Sequence, residues 1–444
     1  MLFLALLSAA AAQEWGFNYD RTSTGPTSQG GRDVTLGELF SALGAAAALA
    51  KLRADFSAMR ALNGSAVRLF VNLPDLVSPP PLPAVNATFL GHLVSAVGAA
   101  AAAGLRVDLT GSTFERQAAA PAWNASSDEA LLAARVLFWR AAAGALRGAP
   151  GVLNFNLVNE PFVPWGDFLH DVVTGCLPVA RPSGARSTFC YLHPVFRHAT
   201  AAWTRAVHAL FPTPAALRAH WPDFPLPGEA FGALAIPRAG DAASCRFADY
   251  SAFAFNETRR WCAALAGAIR AEDPARRITV GVQFGGEGPD ALTSRACADS
   301  VDFFSVHVRA VGGPRPRPQP RPALMARPPS PTFPAPRAPQ IYPRSDFSSP
   351  QALEGYFTDR LNLLPENVTK NVTWEEFYPL GLASNITMEE LPGIQARAAA
   401  AVRKPLAVTS RFSFYWGTAE SLDLPPVSAA IYNQWLAVWA AARP

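Results

Sequence analysis

Short apolar stretches alternate along the chain with longer helical segments. Strands are predicted where β-branched and apolar residues cluster, at 15–19, 67–72, 105–110, 152–160, 278–283 and 301–308. Between the first four of these strands, apolar residues recur every three or four positions and predict helices at 36–62, 90–103 and 128–146. This alternation predicts right-handed β-α-β units and a parallel sheet.

Two segments interrupt the alternation. Residues 162–273 form a long excursion after the fourth strand, with helices predicted at 199–210 and 250–272. Residues 312–345 are dominated by Pro and Arg, a composition that builds no core and predicts a disordered loop. Beyond it, a helix at 388–403, a strand from Lys404 running on to Trp416, and a helix at 427–442 complete the pattern.

Composition bounds the size of the core and the kinds of partner. The chain has 444 residues, half of them hydrophobic, which suffices for one large domain or two smaller ones. The net charge is only +4 and Arg is spread along the chain, so we expect no nucleic-acid partner. No apolar run approaches the ~20 residues of a spanning helix, so we expect no stable insertion into a membrane.

The N-terminus and the sequons predict secretion. Residues 1–12 resemble a signal peptide that ends in Ala10-Ala11-Ala12, which leaves a mature domain at 13–444; a buried N-terminal helix is the alternative. Asn-x-Ser/Thr sequons predict N-glycans at several positions of a surface made in the secretory pathway. They begin at Asn63, Asn86, Asn124, Asn256, Asn367, Asn371 and Asn385.

The cysteines predict disulfides rather than a metal site. Of the five, four can form two bridges in an oxidising compartment, and Cys176 with Cys190 would close a short loop. The chain has no Cys-x-x-Cys and no His-Glu-x-x-His, so we expect no metal and no cofactor. It also lacks the Gly-x-Ser-x-Gly turn of serine hydrolases.

The strand at 152–160 ends in Asn159-Glu160-Pro161. Pro161 cannot donate to a ladder, so the strand stops and Glu160 lies at its C-terminal tip. In a parallel barrel that end of the strands is where chemistry is done, although a solvated Glu in a strand-ending turn is the simpler interpretation.

These motifs, in this order, resemble clan A glycoside hydrolases, and in particular the family 5 cellulase and mannanase group. Four motifs resemble the family's first, second, fourth and sixth strands, and these are, in order, Trp15–Tyr19, Val67–Phe70, Asn159–Pro161 and Ser305–His307. A fifth, Lys404-Pro405, resembles the lead-in to the seventh strand. The excursion resembles the insert of family 42-type β-galactosidases. The resemblance implies a (β/α)8 TIM barrel with a long helical insertion after strand four.

The resemblance also implies an activity, that of a secreted retaining β-glycoside hydrolase acting on β-linked glucan, mannan or related oligosaccharides. Glu160 would be the acid/base, and Asn159 would bind the sugar 2-hydroxyl. Arg68 would keep the nucleophile ionised, and His307 would donate or accept a hydrogen bond in the sugar site. Trp15 and Trp416 would stack on sugar rings.

The chain departs from the family at the nucleophile. With Lys404 leading into strand seven, Ser410 or Arg411 occupies the position of the nucleophilic Glu, and this assignment leaves the barrel without strand eight. A second assignment closes the barrel, with 372–377 as strand seven and 406–415 as strand eight, and makes Glu375 or Glu376 the nucleophile.

The sequon at Asn371 favours a loop there, and so favours the first assignment. Glu420 is a further candidate for the nucleophile. If there is none, the chain is a catalytically inactive barrel that binds carbohydrate or protein.

Overall fold

The structure is a computed structural model of the chain. The residues it describes are 16–19, 36–111, 114–115, 123, 126–159, 161, 176–180, 186–191, 199–226, 228–237, 244–283, 289–308, 349–362, 371–377, 394, 397–398, 400–401, 408–410 and 412–415. The predicted signal peptide, the Pro/Arg-rich segment and the predicted last helix lie outside them.

A parallel β-sheet closed into a barrel organises the fold. Its strands are β1 (Gly16–Tyr19), β2 (Ala66–Val71), β3 (Arg106–Gly111), β5 (Val152–Asn156), β8 (Arg277–Gln283), β9 (Phe303–Val308), β10 (Asn371–Phe377), β11 (Val408–Ser410) and β12 (Phe412–Tyr415). Each strand pairs in parallel with the next, and β12 pairs in parallel with β1. Because only Arg411 separates β11 from β12, the two form one barrel strand and the ring has eight positions.

The closure corrects the assignment of strands seven and eight. The segment that begins at Lys404 was expected as strand seven, but its described part, β11 and β12, is the eighth strand. The seventh is β10, whose Asn371 pairs with Phe303 of β9. The barrel therefore does not lack its eighth strand, and the second assignment is the observed one.

The helices lie outside the ring; most of them cover it, and those at 199–210 and 214–220 belong to the excursion after β5. They are α1 (Leu36–Leu43), α2 (Ala45–Ala61), α3 (Leu73–Leu76), α4 (Ala87–Ala102), α5 (Asp128–Ala145), α6 (Ala199–Leu210), α7 (Pro214–His220), α8 (Cys245–Glu272), α9 (Pro289–Cys297) and α10 (Pro350–Asn362). Gly44, at φ 75°, divides the single helix expected at 36–62. The outward residues of the strands, such as Val67 and Leu69 on β2, pack with the helices in one large core.

The excursion after β5 was expected to be mostly helical, and it also holds a hairpin. Strands β6 (Cys176–Ala180) and β7 (Arg186–Tyr191) are antiparallel, with β4 (Phe114–Glu115) on the other side of β7. Cys176 stands directly opposite Cys190 in this hairpin. That register agrees with the expectation that these two cysteines close a short loop.

The helical part of the excursion has a small core of its own. Trp203, Trp221 and Tyr250 are buried together there. A buried ion pair, from Arg246 to Glu229 at 2.5 Å, lies beside it, and the Arg246 guanidinium stacks 4.5 Å from the Trp221 ring. The described helical part of the excursion is therefore packed around its own core.

A disulfide joins the excursion to the barrel wall. Cys262 of α8 is bonded to Cys297 of α9, and both residues are fully buried. Among the described cysteines, Cys245 is free and exposed. The bridge fixes α8, which packs along α5, against the helix that follows β8.

Candidate active site

Arg68 is fully buried inside the barrel, and its side chain reaches four neighbouring strands. Its Nε donates to Thr110 Oγ1 at 2.9 Å, and its Nη2 donates to Asn159 Oδ1 at 2.8 Å. Its Nη1 lies 3.3 Å from Asn18 Oδ1, and its Nη2 lies 3.4 Å from His307 Nε2. The guanidinium is thus the centre of a cluster drawn from β1, β2, β3, β9 and the end of β5.

Strand alternation explains why the cluster forms. Successive side chains of a strand point to opposite faces, so residues two apart share a face. On β2 the outward positions are Val67 and Leu69, which leaves Arg68 and Phe70 for the interior. The guanidinium carbon of Arg68 lies 4.5 Å from the centre of the Phe70 ring.

The buried carboxylate of Asp108 is linked to the Arg68 guanidinium through Thr110. Asp108 accepts from Thr110 Oγ1 at 2.8 Å and from the amide of Asn154 at 2.5 Å. Thr110 in turn accepts from Arg68, so the hydroxyl links the carboxylate to the guanidinium. Sequence reasoning missed Asp108 and Thr110, although their spacing on β3 already places them on one face with an apolar residue between them.

Asn159 and His307 both contact Arg68 inside the barrel. Backbone pairing continues past the end of β5, because Asn159 N donates to Gly111 O at 2.7 Å. The Asn159 oxygen is held by Arg68, which leaves its Nδ2 group as the donor toward a ligand. A guanidinium only donates, so in its contact with Arg68 the His307 ring accepts through Nε2 and carries its proton on Nδ1.

Three of the predicted site residues lie outside the described residues. Glu160 follows Asn159 directly in the chain, and the next residue, Pro161, is buried. Trp15 immediately precedes β1, and Trp416 immediately follows β12. The structure thus brings Arg68, Asn159 and His307 together, and the roles of all six predicted site residues stay predictions.

The register of β10 distinguishes between the two glutamates of that strand. Thr373 pairs with Ser305, and Glu376 pairs with His307, with an irregularity between Trp374 and Glu376. Such irregularities often occur beside active sites, where they change which residue faces a given side. The pairing places position 376, and not 375, in the row of His307.

The eighth strand removes Ser410 from the position of the nucleophile. Ser410 pairs with Trp374, two residues before Glu376 on the neighbouring strand. The assignment of Ser410 or Arg411 to the end of strand seven is therefore wrong. Arg411 and Glu420 lie outside the described residues.

Two further observations bear on the kind of site. Within the ranges that the structure describes, no three His, Cys, Asp or Glu side chains are grouped as a metal would require. None of the helices described there is long and apolar enough to cross a membrane.

Comparisons with known proteins show that this chain is similar to solved structures in backbone fold only. No family model matches the chain, and no curated protein matches it. Among solved structures, a GH5_18 protein of Streptomyces cattleya in complex with GlcNAc is 13% identical with a TM-score of 0.49, over 97% of this chain and 81% of that one.

A β-galactosidase of the psychrophilic Marinomonas ef1 has the same identity and TM-score, over 91% of this chain and 54% of that one. The exo-β-1,4-mannosidase Op5Man5 of an Opitutaceae bacterium, strain TAV5, is 16% identical with a TM-score of 0.45, over 96% and 55%. This chain thus spans about half the length of the last two proteins. The barrel itself is established by the strand pairing described above.

Proposed function

We propose that the protein is a retaining β-glycoside hydrolase that acts on β-linked glucan, mannan or related oligosaccharides. Glu160 is the acid/base and Glu376 is the nucleophile. The observation that carries the proposal is the Arg68 cluster. A buried guanidinium inside a parallel barrel holds the Asn that precedes Glu160 and contacts His307, the residue that pairs with Glu376.

Charge explains why a nucleophile belongs beside Arg68. Arg stays protonated in proteins, and burying its charge is costly unless a carboxylate or several acceptors compensate for it. Asp108 compensates through Thr110 on one side. A carboxylate at position 376 would complete the compensation on the other side and would itself be kept ionised, as a nucleophile must be.

The proposed reaction has two steps. The Glu376 carboxylate attacks the anomeric carbon as the glycosidic bond breaks, and Glu160 gives its proton to the leaving oxygen. Glu160 then takes a proton from water, the water oxygen attacks the same carbon, and the ester bond to Glu376 breaks, so the configuration is retained. Asn159 holds the 2-hydroxyl through Nδ2, and Trp15 and Trp416 provide stacking surfaces.

We further propose that the protein is secreted and glycosylated. The Cys262–Cys297 disulfide supports this, because structural disulfides persist in oxidising compartments. Of the sequons in the described residues, the one at Asn256 has an exposed Asn beside an open hollow of about 300 Å³. Asn86 is also exposed, but its side chain caps α4 through Phe89 N. We expect Asn256 to carry a glycan, which peptide mapping after enzymatic deglycosylation will detect.

The experiment is hydrolysis of aryl β-glucoside, β-mannoside and β-galactoside by the secreted protein, with variants at three glutamates. Glu376→Ala should lose at least about a thousandfold in kcat, whereas Glu375→Ala is the matched control and should stay near wild type. Azide identifies the roles by product configuration. With Glu376→Ala it should give the α-glycosyl azide, and with Glu160→Ala it should give the β-glycosyl azide.

A folded wild-type protein with no turnover on any of the three glycosides would contradict the proposal. It would support the catalytically inactive barrel that binds carbohydrate or protein. The reason first given for that alternative, a Ser or Arg in place of the nucleophile, no longer holds because 408–410 and 412–415 belong to strand eight.

A further inference from the structure

Asn72 extends the interior row of β2 toward the mouth of the barrel. It follows Val71, the last residue of β2, and keeps an extended backbone at φ −85° and ψ 144°. The alternation that points Arg68 and Phe70 inward therefore continues to Asn72. Two residues of strand span about 7 Å, so Asn72 lies about that far beyond Phe70 on the side where the loops of a parallel barrel bind ligands.

The side-chain oxygen of Asn72 is an acceptor that the fold does not use. The residue is 6% exposed, and its Oδ1 is buried and accepts no hydrogen bond. It precedes the short helix α3, yet its side chain does not cap that helix. A buried acceptor without a donor costs about 1–3 kcal/mol, so an apolar residue here would make the protein more stable.

We propose that Asn72 is a specificity-determining residue whose amide binds a hydroxyl of the substrate. The inference rests on the proposed function for the class of ligand, a β-linked sugar. An amide suits this role because it offers both an acceptor and two donors. Its terminal torsion is soft, so the amide can turn to direct either the oxygen or the nitrogen at a sugar hydroxyl.

The variant Asn72→Leu separates this role from a structural one, because the two have opposite signs. It keeps the side-chain shape and removes the unpaired oxygen, so the melting temperature should rise or stay unchanged. In contrast, kcat/KM for the preferred glycoside should fall about tenfold, the loss expected for about 1.4 kcal/mol of binding. An unchanged kcat/KM, with raised stability, would overturn the inference.

Deoxy sugars make the test specific for one hydroxyl. For the mono-deoxy analogue that lacks the partner of Asn72, wild type and Asn72→Leu should have equal kcat/KM values. For the other mono-deoxy analogues, the tenfold difference should remain. A difference that is the same for every analogue would mean that the substitution acts through the shape of the barrel, which would also overturn the inference.

Thr258 offers a matched control at a distance from the barrel mouth. Its hydroxyl is also buried without a partner, but it lies in α8. Thr258→Val removes that unpaired oxygen and also the sequon at Asn256, so it is compared with Asn256→Gln, which removes the sequon alone. Relative to Asn256→Gln, it should gain stability with no change in kcat/KM.

Binding measured by calorimetry with cellotriose and mannotriose keeps this inference separate from the proposed activity. If the wild type binds either sugar without hydrolysing glycosides, the hydrolase proposal fails alone. In that case weaker binding by Asn72→Leu supports the inference, and equal binding overturns it. If the wild type neither binds nor hydrolyses any of these sugars, both fail.

Discussion

Arg68 Nη2 donates to Asn159 Oδ1 at 2.8 Å and so joins the second barrel strand to the end of the fourth. The two residues are 91 positions apart in the chain, and both are buried. The bond orients the Asn amide and ties the residue before Glu160 to the charged centre of the site. This one contact therefore both orients Asn159 and places it beside the positive charge of the guanidinium. A substitution of Arg68 tests both effects at once.

Arg68→Lys should abolish most activity although it keeps the charge. A lysine ammonium is a compact point charge, and it cannot reach Thr110, Asn159 and His307 with the fixed fork of a guanidinium. We expect kcat/KM to fall by about a hundredfold to a thousandfold, the size of losing a preorganised electrostatic contact. Arg397→Lys is the control, because Arg397 pairs with Glu354 at the surface. Retention of wild-type kcat/KM by Arg68→Lys would contradict the central role of Arg68.

The Asp108–Thr110 pair should position Arg68 through a hydroxyl. Thr110→Val removes the acceptor of Arg68 Nε and the donor to Asp108 while keeping the shape of the side chain. We expect kcat to fall about tenfold with little change in KM, since Thr110 is proposed to act through Arg68. Thr110→Ser keeps the hydroxyl and should restore most of kcat. If Ser and Val variants behave alike, the hydroxyl has no positioning role.

The inner wall of the barrel could be predicted only in part from the sequence. The resemblance identified Arg68, Asn159 and His307, and the structure brings these three together. Asp108, Thr110 and Asn72 were missed because each is a common polar residue within or at the end of an apolar strand. Their roles depend on which face of the strand they occupy and on which residues of the neighbouring strands they contact.

The seventh strand shows why local signals were insufficient. Asn371-Val-Thr is a sequon and favoured a loop, whereas Lys404-Pro405 resembled the lead-in to strand seven. Tertiary context decided otherwise, because the ring needs one strand between β9 and the segment that pairs with β1. Barrel closure is a property of the whole sheet, and no single stretch of the chain contains it.

Loss of the Cys262–Cys297 disulfide should destabilise the protein more than loss of the free thiol. The bridge closes a loop with a sequence separation of 35 residues. Chain entropy predicts about 4 kcal/mol for a loop of this length. The double variant Cys262→Ser/Cys297→Ser should therefore lose several degrees in melting temperature, whereas Cys245→Ser should not change it. Equal melting temperatures for the double variant and the wild type would show that the bridge adds nothing.

Tyr250 should make the excursion sensitive to alkali. Burial raises the pKa of the Tyr250 phenol well above its ordinary value of 10, because the interior disfavours the phenolate. Below pH 10 the phenol is protonated in both states and titration changes nothing. As the pH rises above 10, the unfolded chain loses this proton and the folded chain keeps it, so the free energy of unfolding falls.

The variant Tyr250→Phe tests this sensitivity to alkali, because it removes only the phenol oxygen. Denaturant unfolding at pH 7 and pH 11 gives the free energy lost between the two values, and the loss should be smaller for Tyr250→Phe than for the wild type. Tyr19→Phe is a useful comparison, because the pKa of Tyr19 is also raised by burial, but its hydroxyl donates to Asp55 at 2.6 Å. That variant should therefore lose stability already at pH 7, where the hydrogen bond to Asp55 is removed. An equal loss between pH 7 and pH 11 for wild type and Tyr250→Phe would mean that the buried phenol is not what makes the fold sensitive to alkali.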